Sequence, residues 1–177
     1  MVTRSSRSSP EVLRDAIAME VDGKEFFERA SAMMTRKRSK DMFLSLVAQE
    51  KRHIEVLVHQ LGLLDKGLDW ATLEDAKRTS ASSPRLSVFA DRGIKKLELR
   101  PDAGELEVVD VGIDVEKRSI EYYRTAGQET DNANARQVFN WLVGEESGHL
   151  TILQAERDSR SGSGFHYGSM EFSLETE

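Results

Sequence analysis

Four long stretches of this chain carry apolar residues at alternating spacings of three and four, the period of an α-helix buried along one side. The first stripe is Leu13, Ala16, Glu20, Gly23, Phe27, Ala30 and Met34. It predicts a helix from about Pro10 to Met34, opened by Ser9-Pro10-Glu11: a serine cap, proline in the first turn and an acid near the positive helix end. The second stripe, Phe43, Leu46, Glu50, His53 and Leu57, predicts a helix capped by Ser39, ending near Leu61 and stopped by Gly62. The third is Val109, Gly112, Glu116, Ser119, Tyr123 and Ala126, with Asp102 to Glu105 as a D-x-x-E capping box and an end near Thr125. The fourth is Phe139, Leu142, Glu146, His149 and Leu153, with Asp131 as its cap and an end near Arg157.

Between the second and third helices lie residues 63–101. Trp70 to Lys77 suits a short helix, Thr79 to Pro84 is a turn cluster, and Val88 to Leu99 fits a helix or a strand equally. The length of this segment is informative. A return to the far end of a bundle of such helices needs a reach of roughly 35 Å, which about 40 residues can supply. The expected architecture is therefore all-α: an antiparallel four-helix bundle over residues 10–158 with a long crossover at 63–101. A Ser/Arg-rich mobile N-terminus (1–9) precedes it and a Gly/Ser-rich tail with scattered aromatics (159–177) follows it.

The polar residues inside the stripes repeat. A shift of 96 positions carries Glu20 onto Glu116 and Glu50/His53, an E-x-x-H, onto Glu146/His149, another E-x-x-H. The same shift relates Ile17 to Ile113, Phe27 to Tyr123, Phe43 to Phe139, Leu46 to Leu142 and Leu57 to Leu153. Surface carboxylates would not keep register with core residues on both sides of them. The chain reads as two related helical hairpins, each supplying half of one site.

In an E-x-x-H the two side chains are turned about 60° apart on the helix, so both can address one centre. A single Glu on an apolar stripe is more often paired with Lys or Arg than bound to a metal. Four in register with two His are a different case. Uncompensated carboxylates in a core cost several kcal/mol each. Two divalent cations balance four negative charges, with neutral imidazoles completing the shells. This oxygen and nitrogen set suits iron or manganese, and also zinc.

At these residues the chain resembles the ferritin-like di-iron carboxylate bundles, in which one Glu from each of two helices joins an E-x-x-H from each of the other two. The local text, E-V-D-G-K-E-F-F and E-K-R-S-I-E-Y-Y, resembles the rubrerythrin-like branch. The resemblance implies two iron ions, with Glu50 and Glu146 bridging them. Glu20 and Glu116 would each cap one metal, and His53 and His149 would each bind one. It also implies a non-haem di-iron oxidoreductase that reacts with dioxygen or hydrogen peroxide, in oxidative-stress defence or as a ferroxidase. The alternatives are an iron-binding or storage protein without turnover, and a structural bundle holding a redox-inert metal. Two departures stand out. Rubrerythrins carry a C-terminal rubredoxin with four Cys, whereas this sequence has none, so electrons must come from a separate donor protein or from substrate iron. Rubrerythrins also place an extra Glu three residues before the third-helix ligand, where this chain has Ile113. The six-residue set is closer to bacterioferritin and related oxidases.

Composition narrows the remainder. With 38% hydrophobic and 32% charged residues and a net charge of −6, a nucleic-acid role has little support. No apolar run is long enough for a transmembrane helix, and residues 1–9 lack a signal-peptide core, so the cytoplasm is the expected compartment. Tyr123 lies seven residues after Glu116 on the same face. It is the candidate catalytic side chain, as a one-electron donor or a hydrogen-bond donor to a ligand carboxylate. Glu25 and Glu121 repeat under the same shift but sit about 140° off the stripe, which suits solvent or an outer role. Gly144 and Gly148, inside the fourth helix, imply either close helix approach or a local distortion beside Glu146 and His149. Phe26 and Tyr122, off the stripe, are the candidates for the surface of an expected homodimer. His59 is expected in solvent, and His166 has no identifiable partner.

Overall fold

A computed structural model describes residues 8–79, 99–100 and 102–161 of the chain. The expectations for the N-terminal segment to residue 7, for the stretch 80–98 and for the tail from residue 162, including His166, lie outside the described residues. Five helices are present among the described residues: α1 (Ser9–Met33), α2 (Lys37–Leu64), α3 (Leu73–Arg78), α4 (Glu105–Glu129) and α5 (Ala133–Ser161). Among the described residues there is no strand, and the fold is the expected all-α bundle.

Side-chain contacts between helix ends fix the topology. Arg14 near the start of α1 pairs with Asp65 just past α2 at 2.7 Å, so α1 and α2 form an antiparallel hairpin. Arg157 near the end of α5 pairs with Asp110 near the start of α4, so the second hairpin is also antiparallel. The Tyr122 hydroxyl donates to the Val12 carbonyl at 2.8 Å, while at the other end the Thr35 amide donates to Glu105 at 2.8 Å. Helices α1 and α4 therefore run in opposite directions, and α2 runs parallel to α4. The end of α2 and the start of α4 therefore lie at opposite ends of the bundle, as expected for a long crossover between them. Its first part is pinned to the ends of α2 and α5. Buried Gln60 donates to the Ala71 carbonyl at 3.1 Å and accepts from the Ala71 amide at 2.9 Å, and Asn134 donates to the Trp70 carbonyl at 2.9 Å. The Trp70 ring packs edge-on against Phe139 at 5.6 Å.

Several helix ends differ from expectation, some through local caps and some through contacts across the bundle. Ser8 caps α1, one residue early, and Glu11 accepts its amide at 2.9 Å. α2 begins at Lys37, so Ser39 lies inside it, buried, and donates to Glu156 on α5. α2 also continues through Gly62; the left-handed turn falls at Gly67, with φ 72°. α4 has Gly104 at its N-cap, because Glu105 is taken by Thr35 and Arg160 instead of closing a box with Asp102. Asn132 and not Asp131 caps α5, accepting from the Asn134 and Ala135 amides at 3.0 Å each.

The core forms two apolar layers. One contains Leu13, Ile17, Leu57, Leu61, Trp70, Tyr123, Phe139 and Leu142. The other contains Phe26, Phe27, Phe43, Leu46, Val108, Ile113 and Leu153. On every long helix the residues between the layers are the polar ones of the stripe. Phe26 is fully buried in the second layer, and half-buried Tyr122 is bonded to Val12. The two therefore do not form the exposed aromatic surface expected for a dimer. No described helix is long and apolar enough to cross a membrane.

The glycines divide by environment. A Cβ on Gly112 would lie 3.4 Å from both Leu153 and Phe26, in contact already, so a larger side chain has no room there. A Cβ on Gly144 or Gly148 would meet nothing within 4 Å, and α5 continues as a regular helix through both; neither close approach nor distortion accounts for them. Gly112→Val is expected to destabilise the fold by about 1–3 kcal/mol through overpacking. Gly144→Ala is expected to stabilise it by up to about 1 kcal/mol through helix propensity. Chemical denaturation of the metal-free protein measures both, and shifts of the same sign would contradict this packing.

Candidate metal centre

Glu20 on α1, Glu50 and His53 on α2, Glu116 on α4, and Glu146 and His149 on α5 converge in the polar layer at mid-bundle. All six are between 1% and 3% exposed. They group as two overlapping sets, Glu20, Glu50, His53 and Glu146 on one side, and Glu50, Glu116, Glu146 and His149 on the other. Within each set one donor atom per residue lies within 4.8 Å of the others. Glu50 and Glu146 belong to both sets, so each can offer an oxygen to either side.

The imidazoles both turn Nδ1 inward. His53 Nδ1 lies 3.2 Å from Glu20, 3.4 Å from Glu50 and 3.2 Å from Glu146. His149 Nδ1 lies 3.2 Å from Glu50, 3.3 Å from Glu116 and 2.8 Å from Glu146. The rings are stacked, with centroids 5.5 Å apart. Small residues one turn after the α1 and α4 acids leave room for the carboxylates: Gly23, where a Cβ would sit 4.0 Å from the Glu50 carboxyl carbon, and buried Ser119.

This density of charge perturbs every member. Burial, reinforced by the charges of Glu146 and Glu50, pushes Glu20 well above the usual carboxylate range. Burial also raises Glu116, against the close approach of the His149 imidazole. Burial acts the same way on Glu50 and Glu146, but contacts with the two imidazoles outweigh it, joined at Glu50 by a hydrogen bond with Glu20, and hold both below the usual range. Burial opposes charge on the imidazoles. Their carboxylate partners nevertheless raise His53 well above its ordinary value and His149 to about 12.

The donor set fits a pair of divalent cations. Buried atoms without a hydrogen-bond partner concentrate here: Glu116 Oε1, both Glu146 carboxylate oxygens, His149 Nδ1, and Nε2 of both imidazoles. Buried polar atoms are rarely left unpaired. Four carboxylates and two imidazoles that face one another, with most of their lone pairs free of outside donors, match the mixed oxygen and nitrogen shell of iron, manganese or zinc.

Tyr123 on α4 is fully buried and donates its hydroxyl to Glu20 Oε1. Burial and the Glu20 charge raise it well above an ordinary phenol, so the proton stays on the oxygen. Glu25 and Glu121 are exposed, and Glu121 pairs with Arg124 at 3.0 Å. His59 is half-buried rather than fully in solvent. Sequence reasoning missed Glu145 and Trp141. Glu145 Oε2 lies 3.9 Å from His53 Nε2, and Trp141 meets the His53 ring edge-on at 5.3 Å. The available signal was slight: Glu145 adjoins Glu146, and its counterpart under the shift, Gln49, is also polar.

A family model described as rubrerythrin matches residues 11–157. No curated protein and no solved structure shows a significant match. The match covers most of the chain, which belongs to the rubrerythrin family, a ferritin-like di-iron family.

Because Glu20, Glu116 and both imidazoles favour their protonated forms in the metal-free site, cations must displace protons to bind. The sign follows: affinity for a divalent cation is expected to rise with pH between about pH 6 and about pH 8, with net proton release. Calorimetry in buffers of different ionisation heat measures this. Binding without proton release and independent of pH would contradict the assignment.

Proposed function

We propose, from membership of the rubrerythrin family and the six buried donors, that this protein is a non-haem di-iron oxidoreductase that reacts with dioxygen or hydrogen peroxide. The observation that carries the reading is the overlap of the two four-residue sets at Glu50 and Glu146. These two carboxylates would bridge the ions. Glu20 and His53 would complete one side, and Glu116 and His149 the other. Two ferrous ions held there supply two electrons together, chemistry that no side chain of this chain offers alone.

The chain's own residues then have distinct tasks. The apolar layers above and below exclude bulk water, which strengthens each charge interaction between them. Glu50 and Glu146, whose environment favours the ionised form, supply the permanent negative charge. Tyr123 holds Glu20 in place and keeps its own proton on the phenol oxygen. Its bond to Glu20 also lets it give up an electron beside the site with its phenol proton passing to that carboxylate. Ile113, three residues before Glu116, belongs to the apolar layer with Phe26 and Leu153. With no carboxylate at that position, the site supports an oxidase or ferroxidase reaction ahead of peroxide reduction. Reducing equivalents would come from a donor protein or from iron offered as substrate.

The test is anaerobic loading with about two equivalents of Fe(II) per chain, followed by air or peroxide in separate runs. Repeated consumption of oxidant with a near-UV oxo-bridge band is the expected result, with dioxygen consumed faster than peroxide. A single stoichiometric oxidation with iron retained would instead mark a storage protein. A bound metal with no spectral change would mark a structural site. Either outcome would overturn the enzymatic reading.

A further inference from the structure

The 96-residue shift that relates the six donors does not relate what surrounds them. Tyr123 donates its hydroxyl to Glu20. Its counterpart in the other hairpin is Phe27, which has no hydroxyl and packs on Phe26 at 5.3 Å and Phe43 at 6.0 Å. Glu145 faces His53 Nε2 at 3.9 Å, in ion-pair range, and is itself held by the Trp141 indole N–H at 2.8 Å. Trp141 lies edge-on to the His53 ring at 5.3 Å, with the Lys77 ammonium 4.2 Å from the indole centroid. The counterparts of Glu145 and Trp141 are Gln49 and Ser45. The Gln49 amide donates to the Ser45 carbonyl at 3.3 Å, one turn back on its own helix. Nε2 of both imidazoles lacks a hydrogen-bond partner, but among the described residues only that of His53 has a carboxylate oxygen within 4 Å. Among the described residues, then, the Glu20/His53 half is braced by three side chains, and no equivalent brace touches Glu116 or His149.

A donor already held in its binding orientation loses less freedom when a cation arrives, and partners of this kind are typically worth about 10- to 100-fold in metal affinity. We propose that the two metal positions are unequal. The Glu20/His53 half takes the first divalent cation and retains it, and the Glu116/His149 half takes the second weakly and exchanges it. Tyr123, Glu145 and Trp141 act as positioning residues for the tight half. The inference rests on the two-metal reading above and deepens it: an exchangeable second position is what a protein that oxidises successive ferrous ions requires.

Calorimetric titration of the metal-free protein with cobalt(II) tests this. Two steps separated by about 10-fold or more are expected. Tyr123→Phe and Glu145→Gln should each weaken the first step by about 10- to 100-fold while moving the second by less than about threefold. The reciprocal double change, Phe27→Tyr with Gln49→Glu, should tighten the second step and narrow the gap. A crystal grown with one equivalent of cobalt should show anomalous density beside His53. Half-exposed Glu145 is the variant least able to disturb folding, and circular dichroism checks the others. Two equal steps, density beside His149, or variants that weaken both steps alike would overturn the inequality and leave the two-metal reading standing. A folded protein that binds no cobalt would overturn both.

Discussion

Four carboxylates and two imidazoles share one layer of this bundle, with apolar residues packed above and below. Nothing else in the fold is so costly on its own. A buried carboxylate without compensation is disfavoured by several kcal/mol, and like charges at close range add to that. The metal-free layer responds as chemistry requires, with Glu20 and Glu116 and both imidazoles drawn toward their protonated forms. Two divalent cations would remove the need for those protons. Their charge would match the four acids, and their coordination shells would take up the lone pairs that no protein donor reaches. The layer is intelligible as a receptor for a metal pair and is hard to explain as a structural element.

The rest of the architecture follows from that layer. Each long helix must present one or two donors at mid-length while keeping apolar residues on both sides. The stripes do this by placing Glu or His where the period of three and four would otherwise place Leu or Phe. Two hairpins related by one shift bring the donors together. The crossover through Trp70 and α3 then sets α2 and α4 parallel, so that the second hairpin meets the first with its E-x-x-H opposite the other. The pinned start of the crossover also delivers Lys77 to Trp141, and through it a contact to His53. A segment that looks like a connector thus becomes part of the wall behind one imidazole.

Much of this was legible in the chain because the two halves check one another. A polar residue on an apolar stripe is ambiguous once; three such residues, each repeated at one fixed shift, are not. The helices and the convergence of Glu20, Glu50, His53, Glu116, Glu146 and His149 came from that redundancy. Caps were less legible. Ser39, Asp102 and Asp131 each have the local chemistry of a helix start, yet Ser39 is claimed by Glu156 across the bundle, Glu105 is claimed by Thr35 and Arg160, and Asn132 does the capping for α5. The first two choices depend on partners 55 to 117 residues away. Gly62 failed as a stop for a related reason: α2 keeps Leu61 packed in the core beyond the site, and the chain turns only at Gly67. Glu145 and Trp141 escaped notice because they break the repeat, so the comparison that exposed the donors hid their supports.

Metal content tests the central claim most directly. Protein purified from iron-replete cells and analysed for iron, manganese and zinc should carry about two ions per chain, and Glu50→Ala, which removes a carboxylate common to both halves, should carry far fewer. A wild-type protein that is folded and metal-free, or a variant that keeps the full complement, would contradict the account.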